Sequence, residues 1–184
     1  MLKIKPLILV LSLSLSGMAH AQLLASKESV ISFFSEATLE NIAAENKAAT
    51  SFINKAENTV AVKVPVNAFS FEQKLMQEHF NENYMESEKY PYATFKGKIQ
   101  EEIDYDKDGT YPVTAKGKMN MHGVDRDVDM KGTLTIKNSE VHLHTEFVVK
   151  LEDYKIKIPS IVVEKIAEEV SVKADITYLP YEKK

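Results

Sequence analysis

From Thr59 onward apolar and polar residues alternate with a period of two, in segments bounded by turn residues. This is the pattern of antiparallel strands with one dry face and one wet face. Val60, Val62, Val64 and Val66 form the first inward row, and Ala93, Phe95, Gly97 and Ile99 the second. A third row runs Tyr111, Val113, Ala115, Gly117, Met119 and Met121, and after a turn at His122 to Arg126 a fourth takes Val128, Met130, Gly132, Leu134 and Ile136. Asn138-Ser139 turns the chain into Val141, Leu143, Thr145, Phe147 and Val149; the last row is Val170, Val172, Ala174, Ile176 and Tyr178. Two weaker strands are expected near Ser29 to Ser35 and Ala48 to Lys55. Seven or eight such strands with hairpin-length turns predict an all-β fold, either a closed up-and-down antiparallel barrel or a sandwich.

Helical spacing occurs twice. Ser70-Phe71-Glu72-Gln73 fits a capping box, and Met76, Phe80 and Tyr84 then recur at i, i+4 and i+8 as one apolar ridge. Tyr90-Pro91 is expected to end that piece, because the residue before a proline is pushed out of the helical region. A second short helix is expected from about Ile161 to Glu168.

The N-terminus changes the picture of where the chain works. Lys3 and Lys5, the apolar stretch Leu7 to Leu15 and the small residues of Ala19-His20-Ala21 read as a secretory signal over residues 1–21. The expected mature domain, 22–184, is then periplasmic or secreted, without a membrane span after cleavage. Removing two lysines leaves 21 basic against 27 acidic residues, a charge of −6. That balance argues against nucleic acid and against tight docking on anionic membranes. With no cysteine there is no disulfide, thiolate metal site or lipid-modified cysteine.

The inward rows carry no ionisable acid or base, so they offer nothing for general acid-base or nucleophilic chemistry. They suit an apolar ligand instead, each buried methylene of which contributes on the order of 0.8 kcal/mol. The inward glycines Gly97, Gly117 and Gly132 each follow a lysine; they imply strand curvature, an axial void, or both. The candidate cavity residues are Phe69, Phe71, Met76, Phe80, Tyr84, Phe95, Met119, Met121, Met130 and Phe147, with His79 and His122 at the rim. Ordinary core packing would use the same apolar residues.

Two polar motifs compete for a metal. Asp104 to Gly109 matches the first half of a calcium loop, but the twelfth position is Ala115 where a glutamate is needed, so a hairpin turn is expected. His142, His144 and Glu146 share the wet face of one strand without an identifiable partner on a neighbouring strand; they read as surface residues. No metal and no cofactor are expected.

The segment from His79-Phe80-Asn81-Glu82-Asn83-Tyr84-Met85-Glu86-Ser87 through Lys89-Tyr90-Pro91-Tyr92-Ala93-Thr94-Phe95-Lys96-Gly97 carries a further signal. With Gly117, Met119, His122-Gly123-Val124, Arg126 and Val128, it resembles the signature of the YceI-like family. The resemblance runs from about Glu36 to Tyr178 and is most specific between Phe69 and Val128. It implies an extended lipocalin-like barrel that binds, sequesters or transports a long apolar lipid: a polyisoprenoid, an isoprenoid quinone or a fatty-acid derivative. It transfers no catalytic residues, and the protein is not expected to be an enzyme. Two other readings stand beside it: an enzyme acting on a lipid-like substrate at the barrel mouth with His79 or His122 as base, and a ligand-free, stress-related interaction protein. A homodimer stays among the expected assemblies.

Overall fold

The computed structural model describes residues 22–36, 41–157 and 168–181. The expected signal segment and nearly all of the expected second helix lie outside the described residues. Nine strands form one antiparallel sheet: β1 (Leu23–Ser35), β2 (Ile42–Asn46), β3 (Thr50–Asn54), β4 (Thr59–Pro65), β5 (Tyr92–Ile99), β6 (Gly109–Met121), β7 (Val124–Lys137), β8 (Glu140–Lys150) and β9 (Glu169–Pro180). Strands β3 to β9 pair in sequence order, and β1 pairs β9 along nearly its whole length, which closes a barrel.

Strand β2 was not anticipated by the alternation. It pairs with the C-terminal half of β1, from Ser35↔Ile42 to Ile31↔Asn46, while β3 takes the N-terminal end of β1 in the same register, from Ala25↔Phe52 to Leu23↔Asn54. Together β2 and β3 are one interrupted barrel strand, so the wall is eight strands around. At the interruption the Ser51 amide donates to Ser26 Oγ at 2.9 Å.

The inward rows expected from β4 to β9 face inward as read, with Ile53, Leu134, Ile176 and Tyr178 almost fully buried. The outer face is charged and laced across strands by Lys116–Asp129, Lys118–Asp127, Lys150–Glu169 and Lys173–Glu146 pairs. Apolar inside and charged outside is the reverse of a barrel embedded in lipid. No described helix is long and apolar enough to cross a membrane.

Two hairpins turn on two residues with positive φ, His122 (51°) with Gly123 (72°), and Asn138 (51°) with Ser139 (66°). Such turns match the right-handed twist of the flanking strands. The first is therefore tighter than the expected His122 to Arg126 turn, and β7 already begins at Val124.

Of the three inward glycines, Gly132 lines the interior space, whereas Gly97 and Gly117 open no void. Gly97 and Gly117 face each other across β5 and β6, and a Cβ on Gly117 would collide with the Lys96 carbonyl and the Gly97 Cα. On the Gly97 side, the space is covered by the Phe95 ring, 2.5 Å from where a Cβ would stand. The pair therefore permits a close backbone approach rather than storage space. We expect Gly117→Ala to lower stability by about 1–3 kcal/mol, as overpacking does. Gly109→Ala, whose added methyl meets only the end of the Tyr111 ring, should cost less. Urea unfolding measures both, and equal stabilities for the two variants would contradict the assignment.

Candidate functional site

The barrel is hollow. A cavity of about 640 Å³ runs from a mouth near Phe33, Ser35, Met121 and Leu151 down to Ile53, Ile99, Leu134 and Ile176. All ten expected apolar residues line it, Phe69, Phe71, Met76, Phe80, Tyr84, Phe95, Met119, Met121, Met130 and Phe147, as does His79. Its size falls within the roughly 300–1,000 Å³ of small-molecule pockets. A dry void that large, at roughly 24 cal/mol per Å³, would cost about 15 kcal/mol, as much as a whole domain's stability. Water is a poor filler, since each buried molecule wants two to four polar partners. The lining offers few, Ser35, Gln73, His79, Thr94, Lys131 and Thr145 among forty residues.

The far end is closed by Leu24, Ile136, Val141 and Tyr178, all at most 2% exposed. Tyr178 donates to Ser51 Oγ at 2.6 Å, and Ser51 donates in turn to the Ala61 carbonyl at 2.9 Å. Beside them Tyr105 donates to Asn58 Oδ1, while Asn58 Nδ2 holds the carbonyls of Ile99 and Glu101. These four side chains are thus satisfied internally, and burial pushes both phenols upward, Tyr105 to about 12.

Over the mouth lies a lid, α1 (Lys74–His79), continued by a π turn over Phe80–Tyr84. The expected capping box does not form: the helix starts at Lys74 with Gln73 as N-cap residue and no side-chain cap. Ser70 is instead drawn into a bridge with Glu45 of β2, through backbone bonds of 3.1 and 2.8 Å. The helical stretch stops at Tyr84, before Tyr90-Pro91, because the wider turn closes with the Met85 amide on the Phe80 carbonyl. A six-residue helix is marginal alone, and no residue of α1 is buried. Aromatic contacts hold the lid: Phe80 stacks on Phe33 of β1 at 5.5 Å and meets Phe69 and Phe71 at 5.6 and 5.0 Å. Phe33, the centre of this cluster, was absent from the expected site. Its signal was present in the alternation of Ile31, Phe33 and Ser35 against Ser32 and Phe34.

The two rim histidines separate. His79 is exposed and lines the cavity, and among the described residues no carboxylate lies within ion-pair distance of it. The His122 side chain is 9% exposed and does not line the cavity. Its Nδ1 donates to the Tyr154 carbonyl at 3.1 Å, its Nε2 lies at hydrogen-bond distance, 2.9 Å, from Glu86 Oε2, and its ring packs against Tyr90 at 4.5 Å. These bonds tie the turn to other elements instead of bracing the turn internally. The geometry a histidine base needs, facing the cavity beside an acid, is split between two residues.

The polar motifs resolve as follows. Asp104 to Gly109 is a turn in which the Asp106 amide donates to Asp104 Oδ1 at 3.1 Å. His142 and His144 have a partner on the neighbouring strand after all, Asp175 of β9, at 3.4 and 2.7 Å. Among the described residues no group of three or more histidine, cysteine or acidic side chains is arranged to hold a metal.

A model of the YceI-like domain matches residues 21–178. A polyisoprenoid binding domain from Saccharophagus degradans, implicated in plant cell wall breakdown, superimposes with a TM-score of 0.74 at 13% identity, over 86% of this chain and 98% of that one. BcnA of Burkholderia cenocepacia gives 0.67 at 17% identity, over 81% and 95%. The YCEI protein of Campylobacter jejuni gives 0.61 at 13%, over 80% and 90%. At these identities the likeness is one of fold. No curated protein sequence matches the chain.

Because the folded-state value of Tyr105 lies near 12 and its ordinary value at 10.0, its contribution is intact below pH 10 and lost as pH rises towards 12. The unfolded chain gives up the proton first, which favours unfolding. Urea midpoints measured from pH 8 to 12 should fall over that window, and less steeply in Tyr105→Phe. An equally steep fall in the variant would contradict this.

Proposed function

This chain belongs to the YceI-like family, and from that premise we propose that its barrel binds and carries one long apolar lipid. The observation that carries the reading is the cavity of about 640 Å³, lined almost entirely by aliphatic, aromatic and methionine side chains. Methionine adapts to irregular apolar shapes, and Met76, Met119, Met121 and Met130 sit on different parts of the wall. A polyisoprenoid, an isoprenoid quinone or a fatty-acid derivative meets these requirements. The ligand named for the Saccharophagus degradans domain favours the first.

The two ends of the cavity differ, which orients the ligand. At the closed end every polar partner of Tyr178 and Ser51 is used internally, so an apolar tail belongs there. The mouth carries His79 and Ser35, where a polar head meets water. Binding without turnover is supported by the split between His79 and His122. The match beginning at residue 21 supports a mature domain that starts after a leader, and with it a periplasmic or secreted site of action.

The test is organic extraction of the purified protein followed by mass spectrometry, with a titration of extracted protein against cis-parinaric acid, a fluorescent polyene fatty acid. A stoichiometric apolar lipid, and saturable probe binding, are expected. Ala93→Trp, which fills the cavity from its wall, should weaken probe binding at least tenfold while thermal unfolding stays cooperative. A protein that yields no lipid and binds no probe would overturn the reading.

A further inference from the structure

The barrel wall is not uniformly closed. Strand β7 pairs with β6 along its whole length, and β8 pairs with β9 along its whole length. Between β7 and β8, however, the ladder spans only Gly132↔Thr145 to Lys137↔Glu140. On the mouth side of that point Val124–Lys131 and Glu146–Lys150 diverge, leaving a wedge in the wall. The Thr145 hydroxyl caps its apex by donating to the Lys131 carbonyl at 2.6 Å.

The segment after β8 fills the wedge. A 3-10 turn, Leu151–Tyr154, leads through Lys155 at φ 55° to Ile156. Leu151 and Ile156 line the cavity, as Met130 and Phe147 do on the two flanking strands. This strap is continuous with β8 but is held to the β6–β7 side by few contacts. Arg126 Nε donates to the Asp153 carbonyl at 2.9 Å, its Nη2 donates to Asp153 Oδ1 at 2.8 Å, and His122 Nδ1 donates to the Tyr154 carbonyl. Arg126 is the sole arginine of the sequence. Its planar fork meets backbone and carboxylate with two donors held in fixed geometry, where a lysine offers a flexible point charge.

We infer that this wedge is the portal through which the apolar ligand enters and leaves, with the Leu151–Ile156 strap as its door and Arg126–Asp153 as the clasp. The inference rests on the lipid-binding reading for the identity of the cargo, not for the existence of the opening. Two routes compete, and their costs differ. Lifting the lid separates the stacked rings of Phe33, Phe69, Phe71 and Phe80 and the Glu45–Ser70 bridge. Swinging the strap breaks no strand ladder, because the facing edges of β7 and β8 are already unpaired there. It breaks the half-exposed Arg126–Asp153 pair, a class of contact that is individually weak, together with the single His122–Tyr154 bond, and it uncovers Tyr154 and Ile156. Val148, 56% exposed on the outer face of β8 beside the wedge, gives the outer lip an apolar side chain that eases passage of a hydrocarbon.

The absence of cysteine from the sequence permits a direct test. Single cysteines are placed at Met130, under the strap, and at Val62, on the β4 wall, and labelled with a maleimide reagent with and without Arg126→Ala. The expected result is labelling at least fivefold faster at position 130 and unchanged at 62. No change at 130, or equal acceleration at both, would overturn the portal, and this arm needs no ligand. In the second arm, cis-parinaric acid should associate and dissociate at least fivefold faster in Arg126→Ala, with its equilibrium affinity kept within twofold. Cysteines at positions 126 and 153, joined by a short bismaleimide, should slow exchange at least tenfold. Native exchange rates in the joined protein would assign the route to the lid instead. If the probe fails to bind native protein at all, the lipid-binding reading falls while the labelling arm still decides the portal.

Discussion

The arrangement depends on one side chain with both ring nitrogens engaged. His122 stands at the tip of the β6–β7 hairpin in a left-handed conformation, joined through Nε2 to Glu86 beyond the lid and through Nδ1 to the Tyr154 carbonyl of the strap. A carbonyl can only accept, so Nδ1 is the donor to Tyr154. Leaving the buried imidazole without a partner costs about 1–3 kcal/mol. Lid, wall and strap otherwise share few contacts at this corner. The positive φ of His122 and Gly123 is what aims the imidazole away from its own strands, and Tyr90 closes over both residues.

This gives physical content to the family signature. Glu86 and Tyr90 come from its first segment, His122, Gly123 and Arg126 from its second, and the fold brings the two together outside the cavity. Glu86, Tyr90, His122, Gly123 and Arg126 do not line the cavity and hold the elements that enclose it, whereas His79, Phe80, Tyr84, Phe95 and Met119 of the same signature form part of its wall and lid.

The inward rows of β4 to β9 were legible because a period of two is a local property, and a closed barrel converts it directly into inside and outside. The features that escaped the alternation are nonlocal. Strand β2, Ile42–Asn46, has two alanines and no β-branched run; it exists because β1 is long enough to continue the register already set by β3. Ser70 reads as a helix cap in isolation, but pairing with Glu45 closes the wall beside the lid and removes it from that role. Gly97 and Gly117 suggest vacancy only until they are seen to face each other. The His122 partners are 32 and 36 residues away in sequence, beyond any local pattern.

The hollowness itself follows from strand number and side-chain size. An eight-stranded barrel encloses about one small ligand's worth of space unless large residues point inward from every strand. Here most large inward rings stand towards the two ends, Tyr178 at the closed one and the phenylalanine cluster at the mouth. Between them Phe95 is set among valine, alanine, leucine, isoleucine and methionine. Packing therefore secures the ends and leaves the middle to be filled by something else. The β7–β8 ladder stops towards the mouth, so the wall is interrupted on the side where the cavity opens.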